Sequence, residues 1–185
     1  GGNGFGAYLL YREVEKKADP LSDKNAFIMA TGPATGTPFT SAAMTAMITK
    51  SPLTGLFLDS YIGGHLGPEI KFAGYDALVI KGASETPVYV VINDERVEFI
   101  DASDLWGKLT FETQEILKDR HGHESQIACI GPAGENLVKY ASIISGTRAA
   151  GRGGVGAVLG SKKLKAISIV GTNTINVPNS EALMQ

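Results

Sequence analysis

The chain has 185 residues, 43% of them hydrophobic, with 17 Lys and Arg against 19 Asp and Glu for a formal net charge of −2. That length can bury one sizeable core, and the near-neutral balance argues against a general nucleic-acid binder, whose phosphate contacts show as a basic excess over the domain. A single cysteine, Cys129, excludes an internal disulfide and any four-cysteine zinc or iron–sulfur site made by this chain alone.

Gly1 to Gly6 opens without a methionine, which reads as a piece whose natural beginning lies elsewhere. No charged stretch followed by an apolar one marks a leader, and no apolar run reaches the roughly 18 residues of a membrane span, so a cytoplasmic location and no membrane partner are inferred. Leu9, Leu10 and Val14 fall at helical spacing in Ala7 to Lys17, a helix that Asp19-Pro20 should stop. Residues 25–31 read as a buried strand leading into the turn-rich Gly32-Pro33-Ala34, and alternation resumes over 43–49. Leu56 to Ser60 looks like another strand, broken by Gly63-Gly64, after which Pro68 suits the first residue of a short helix.

Ala77 to Lys81 is a strand, and Val88 to Ile92 with Val97 to Ile100 form a hairpin about Asn93-Asp94. Asp101 or Ser103 is a cap for a helix over Thr110 to His121, with Phe111, Ile116 and Leu117 as its buried stripe. Gln126 to Ile130 is again a strand, entering Gly131-Pro132-Ala133. An internal echo follows from this order. Strand, Gly-Pro-Ala, a glycine cluster at 63–67 and a closing Ala77-to-Gly82 strand recur as strand, Gly-Pro-Ala, a glycine cluster at 153–156 and a closing Ala166-to-Gly171 strand. Repeat-like halves at about 25–82 and 125–171 would suit a ligand with two similar parts, one phosphate to each glycine turn.

Arg148 to Lys165 concentrates Arg148, Arg152, Lys162, Lys163 and Lys165 around Gly151, Gly153, Gly154, Gly156 and Gly160 without one Asp or Glu, and reads as an anion seat. Gly151 to Gly156 fits the dinucleotide string, which would make a nucleotide-dependent oxidoreductase. No acid lies about 20 residues on to hold a ribose, and Arg148-Ala149-Ala150 stands where a tight strand end belongs. His121 and His123 read as a solvated loop, His65 as a donor to a ligand or a surface cap, and Cys129 as core. Ser51, Ser125 and Ser142 have no nucleophile setting and no general acid–base pair is visible, so the side chains of this chain supply no catalytic residue.

The strings KSPLTG (50–55), KFAGYDA (71–77), Leu105-Trp106-Gly107, IGPAGENLVKYA (130–141) and RAAGRGGVGAVLGSKKLKAI (148–167) resemble, in this order, the N-terminal domain of the tungsten-containing aldehyde ferredoxin oxidoreductase family. The resemblance covers almost the whole chain. It implies an α+β fold with mixed and antiparallel β-sheets, a few helices and an internal pseudo-two-fold repeat, residues 1–185 forming a pterin-cofactor-binding domain incomplete at its N-terminus. It also implies a tungsten or molybdenum bis-pyranopterin cofactor whose phosphates are joined through magnesium, and a [4Fe–4S] cluster held by residues outside this chain. Arg148, Ala149, Gly151 and Gly63 would hold the phosphates or magnesium, with Ala149 and Tyr61 serving through backbone carbonyls. Tyr61 stands where an Asn is common in the family, and Met44 where many members place an arginine. The implied activity is aldehyde oxidation to carboxylate with ferredoxin as acceptor, in concert with C-terminal domains of the same protein. A non-catalytic binding or assembly module derived from the domain is the other implied role. The oligomeric state is left open, a homodimer included.

Overall fold

A computed structural model describes residues 1–183. The first helix, α1, runs over Gly2–Glu13 rather than from Ala7 to Lys17. Its glycine-rich first turns are helical because the helix lies flat on a sheet: Gly6 is buried against Ile48 and Ala30, where a side chain would collide with Ile48. It ends where Val14 turns extended, well before Asp19-Pro20.

Ten strands follow among the described residues, and they form two sheets. The first holds β1 (Phe27–Thr31), β2 (Thr45–Lys50), β3 (Phe57–Ile62) and β4 (Ala77–Ile80) in the order β3-β2-β1-β4, antiparallel throughout. The second holds β5 (Val88–Asn93), β6 (Arg96–Asp101), β7 (Gln126–Cys129), β8 (Ile143–Ser145), β9 (Arg148–Ala150) and β10 (Leu164–Val170) in the order β6-β5-β10-β7-β8-β9. There the β5–β10 pair alone is parallel. This is an α+β architecture with mixed and antiparallel sheets, as the sequence led us to expect.

Helices α2 (Leu66–Phe72) and α5 (Val155–Ser161) lie between the sheets and touch both. The main core joins Phe27, Met29 and Met47 of the first sheet to Ile70 of α2, Val158 of α5 and Ile167 and Ile169 of the second. The opposite face of the first sheet packs Ile28 and Ile48 on Leu10 of α1. β1 and β2 are thus covered on both faces, which is why β2 is an unbroken buried run and not the alternating strand its sequence suggests. Ile127 and Cys129 of β7 face a third cluster with Leu117 of α3 (Thr110–His121), while Ala128 and Ile130 face the main core. Cys129 is buried there, its thiol pushed up to about 12 by desolvation. Helix α3 has the expected bounds and part of the expected stripe: Leu117 is buried and Ile116 packs beside it, but Phe111 is 62% exposed and Thr113 and Gln114 are buried instead. Leu109 precedes its first turn, and Asp101 instead accepts from Ser103. Pro68 is the third residue of α2, still within the first turn, where it displaces no helical hydrogen bond.

The order β3-β2-β1-β4 with α2 between β3 and β4 matches β9-β8-β7-β10 with α5 between β9 and β10. Short α4 (Pro132–Glu135) occupies the place that the turns after Gly32 take in the first run. The two runs hold each other. Glu69 of α2 accepts the Gly171 N–H at 2.9 Å, at the end of β10, and Phe72 O accepts from Asn173 at 3.0 Å. From the end of α5, Lys162 donates to Asn25 O at 2.6 Å and to Gly82 O at 2.9 Å, beyond β4.

Lys162 is 3% exposed, and desolvation lowers its ammonium pKa to about 8. The unfolded chain then holds more protons than the folded one between pH 8 and the ordinary lysine value of 10.5. Stability should therefore rise with pH across that window, by at most about 1.4 kcal/mol per unit. Denaturant midpoints at pH 7.5, 9 and 10 test this, and the rise should vanish in Lys162→Met.

Candidate functional site

Strand β3 ends at Ile62 and the chain passes through Gly63, Gly64 and His65 into α2. Strand β9 ends at Ala150 and passes through Gly151 to Gly154 into α5. Both are edge strands, and they lie against each other, so the two glycine turns emerge side by side. The Cγ of Arg148 sits 3.7 Å from where a Cβ on Gly64 would stand, with Arg148 exposed above the turn of the other half. Ser51 donates to Gly153 O at 2.7 Å, and Arg152 N–H donates to Ser60 Oγ at 3.4 Å.

The glycines fall into two kinds. Gly64, Gly153 and Gly154 have φ of +91°, +72° and +89°, which L side chains rarely adopt. Gly63 and Gly151 have no such φ. A Cβ on Gly63 would meet Met44 Sδ at an ordinary 3.5 Å, and one on Gly151 would meet nothing within 4 Å. The fold itself does not call for glycine at these two positions, whereas a ligand approaching the backbone from outside does.

The basic cluster read from the sequence is divided by α5. Arg148 and Arg152 are exposed beside the glycine turns, but the three lysines are not part of any seat there. Lys162 is spent on Asn25 O and Gly82 O, Lys163 donates to Glu85 O at 2.9 Å, and Lys165 is buried against Glu135 and Lys108 O. A helix of seven residues, almost wholly buried, carries them to the far end of the second sheet. Of the five basic side chains, only the two arginines stand exposed beside the glycine turns. Gly156 and Gly160 belong to packing: a Cβ at 156 would meet Ser142 O at 2.5 Å, and one at 160 would collide with Gly134 O. Arg148-Ala149-Ala150 does form a strand, contrary to expectation, but β9 pairs antiparallel with β8, so the glycine string does not sit in the parallel unit of a dinucleotide fold.

Tyr61 lies on β3, 41% exposed, and its hydroxyl donates to Asp59 Oδ2 at 3.0 Å, which also accepts from Asn3 at 2.9 Å. Desolvation, then the Asp59 carboxylate, raises the Tyr61 pKa. Met44, 49% exposed, borders a hollow lined by Gly2, Pro33, Ser41 and Tyr61. His65 is exposed just before α2; His121 meets the Tyr89 hydroxyl at 3.0 Å, and His123 is exposed 3.9 Å from Asp119. Sequence reasoning missed Ser51 and Ser60 as supports of the second turn. The KSPLTG string was the available signal.

The sequence pattern described as the N-terminal domain of aldehyde ferredoxin oxidoreductase matches residues 1–171. The chain belongs to this family. It is 50% identical over 187 residues to a tungsten-containing aldehyde ferredoxin oxidoreductase from Pyrococcus horikoshii, covering 100% of this chain and 31% of that protein. An aliphatic sulfonate oxidoreductase, WOR-like subunit, from Pyrococcus furiosus is 36% identical over 192 residues, covering 95% of the chain and 30% of the relative. Among solved structures, the active-site complex BamBC of benzoyl coenzyme A reductase with 1,5-dienoyl-CoA matches with a TM-score of 0.93 and 45% identity, over 95% of this chain and 27% of that one. As an aldehyde ferredoxin oxidoreductase N-terminal domain, the chain thus spans about a third of the length of the curated relatives it matches. Both repeat-like runs lie inside the family match.

Proposed function

We propose that this domain seats a tungsten or molybdenum bis-pyranopterin in an enzyme that oxidises aldehydes to carboxylates. The observation that carries this reading is the meeting of the two glycine turns under an exposed Arg148, one turn from each repeat-like run. The residues present fit such a group: Gly63 and Gly151 are glycines that the fold does not demand, and the neighbouring positive charge is fixed on Arg148 and Arg152.

In this role Arg148 donates its planar guanidinium fork to phosphate oxygens, a geometry that Lys lacks. Gly63 and Gly151 would admit the phosphates to the backbone, and Tyr61 and Ala149, on the two edge strands, would hold magnesium through their carbonyls. When bound, the metal–pterin group supplies the two-electron chemistry. Aldehyde and water would give carboxylate, three protons and two electrons, the electrons being taken up by a [4Fe–4S] cluster held outside this chain and by ferredoxin. The aldehyde class is favoured because the relatives at 50% identity are named for it, while the sulfonate relative stands at 36%. Tyr11, Leu56 and Tyr140, which are 80%, 69% and 72% exposed, supply apolar surface for the C-terminal part of the same protein to cover.

Metal analysis with pterin extraction from the full-length protein tests the proposal. Tungsten or molybdenum together with a pterin is expected, and a preparation with neither, from cells supplied with both metals, overturns it. Met44 beside Gly63, in place of a basic donor, favours a non-catalytic binding module as the second reading. Pterin without aldehyde-dependent reduction of ferredoxin would select it.

A further inference from the structure

Ser51 is 1% exposed and sits at the centre of a small hydrogen-bonded knot. Its hydroxyl oxygen accepts the N–H groups of Leu53 at 3.1 Å and Thr54 at 3.2 Å, which closes the KSPLTG loop on itself. Its proton goes to Gly153 O at 2.7 Å, in the other half of the domain. Three more residues of the first half complete a floor beneath that glycine loop. Pro52 Cγ lies 2.8 Å from a Cβ built on Gly154, the Leu58 side chain fills the space where one on Gly153 would go, and Ser60 accepts from Arg152.

Gly153 and Gly154 are consecutive left-handed residues in a stretch that begins at an exposed Gly151. Glycine permits this conformation but does not select it, because the same backbone has many others open to it. The selection must come from outside the loop, and the contacts that can supply it come largely from residues 51–60. We propose that Ser51, through the KSPLTG loop, fixes the conformation of the 151–154 glycine loop and is a positioning residue for the anionic ligand held by Arg148. The ligand's identity as a pterin phosphate rests on the function proposed above; the ordering of the loop does not.

The test compares Ser51→Ala with Ser125→Ala in the full-length protein. Ser125 is also fully buried and donates one 2.7 Å bond to a glycine carbonyl, that of Gly122, at the turn between α3 and β7. In Ser51→Ala, amide exchange at Arg152, Ala157 and Val158, whose N–H groups bond Ser60 Oγ or Gly154 O, should quicken by about tenfold, the worth of one hydrogen bond, and pterin and metal content should fall several-fold. Ser125→Ala should leave both unchanged at a comparable loss of thermal stability. Ser51→Cys, similar in size but a weaker donor, should fall between wild type and Ser51→Ala, and keeps the test open should the alanine variant not fold. Wild-type exchange in Ser51→Cys, or equal exchange and pterin loss in both alanine variants, overturns the proposal. A wild-type protein without pterin overturns the function reading instead, and the exchange data still decide the role of Ser51.

Discussion

Glu135→Ala should lower the unfolding free energy by about 3–5 kcal/mol, the cost of stranding one member of a buried ion pair. Lys165 and Glu135 are 0% and 4% exposed at their side chains and bonded to each other. The Lys165 ammonium also donates to Lys108 O at 2.8 Å, while the other carboxylate oxygen of Glu135 accepts the Gly107 N–H at 2.8 Å. Strand β10, helix α4 and the turn after Trp106 are thereby joined at one point. Removing the carboxylate leaves the fully buried Lys165 ammonium without its counter-charge, while the exposed Gly107 N–H can turn to water. The double change Glu135→Leu with Lys165→Met should recover most of the loss, since apolar packing can replace a dry pair that is removed whole. Denaturant unfolding of the three variants measures both effects. A single-variant loss under about 1 kcal/mol would show that water solvates the node.

Arg148→Ala in the full-length protein should weaken retention of the pterin group by about 30–160-fold, corresponding to about 2–3 kcal/mol for charge-assisted hydrogen bonds. Arg148 is exposed, so the melting temperature of the protein stripped of cofactor should barely move. Arg148→Lys should restore only part of the affinity, because a point charge does not reproduce a planar fork. Metal and pterin content after dialysis gives the readout. Full occupancy in Arg148→Ala would remove the residue from the site.

Much of the scaffold was legible because it is locally encoded. The β5–β6 hairpin, the bounds of α3 and the buried strand β1 all follow from periodicity and breakers within a dozen residues. The repeat order was legible too, since strand, glycine turn and closing strand recur in register. The destinations of side chains were not. Lys162, Lys163 and Lys165 look like neighbours of Arg148 in the sequence, yet one buried helix turns them onto carbonyls and a carboxylate elsewhere. Phe111 has the spacing of a core residue, but the face of α3 that meets the second sheet is set by Gln114, which bonds Gly146 at 2.5 Å. Ser51 was visible and dismissed for want of a nucleophile's setting, because its partner, Gly153, lies 102 residues away.

The crossed grips of Glu69 on Gly171 and of Lys162 on Gly82 bear on how such a domain can arise. Each run lends its helix to finish the other's closing strand, and neither contains the partner that its own last strand needs. A polypeptide encoding one run alone would leave those groups to water as a monomer and pair them with protein as a two-fold dimer, each copy gripping the other. Gene duplication with fusion would then convert a symmetric pair into one chain whose halves are free to diverge. Met44 and Tyr61 on one side, and Arg148 on the other, would then be divergence of that kind.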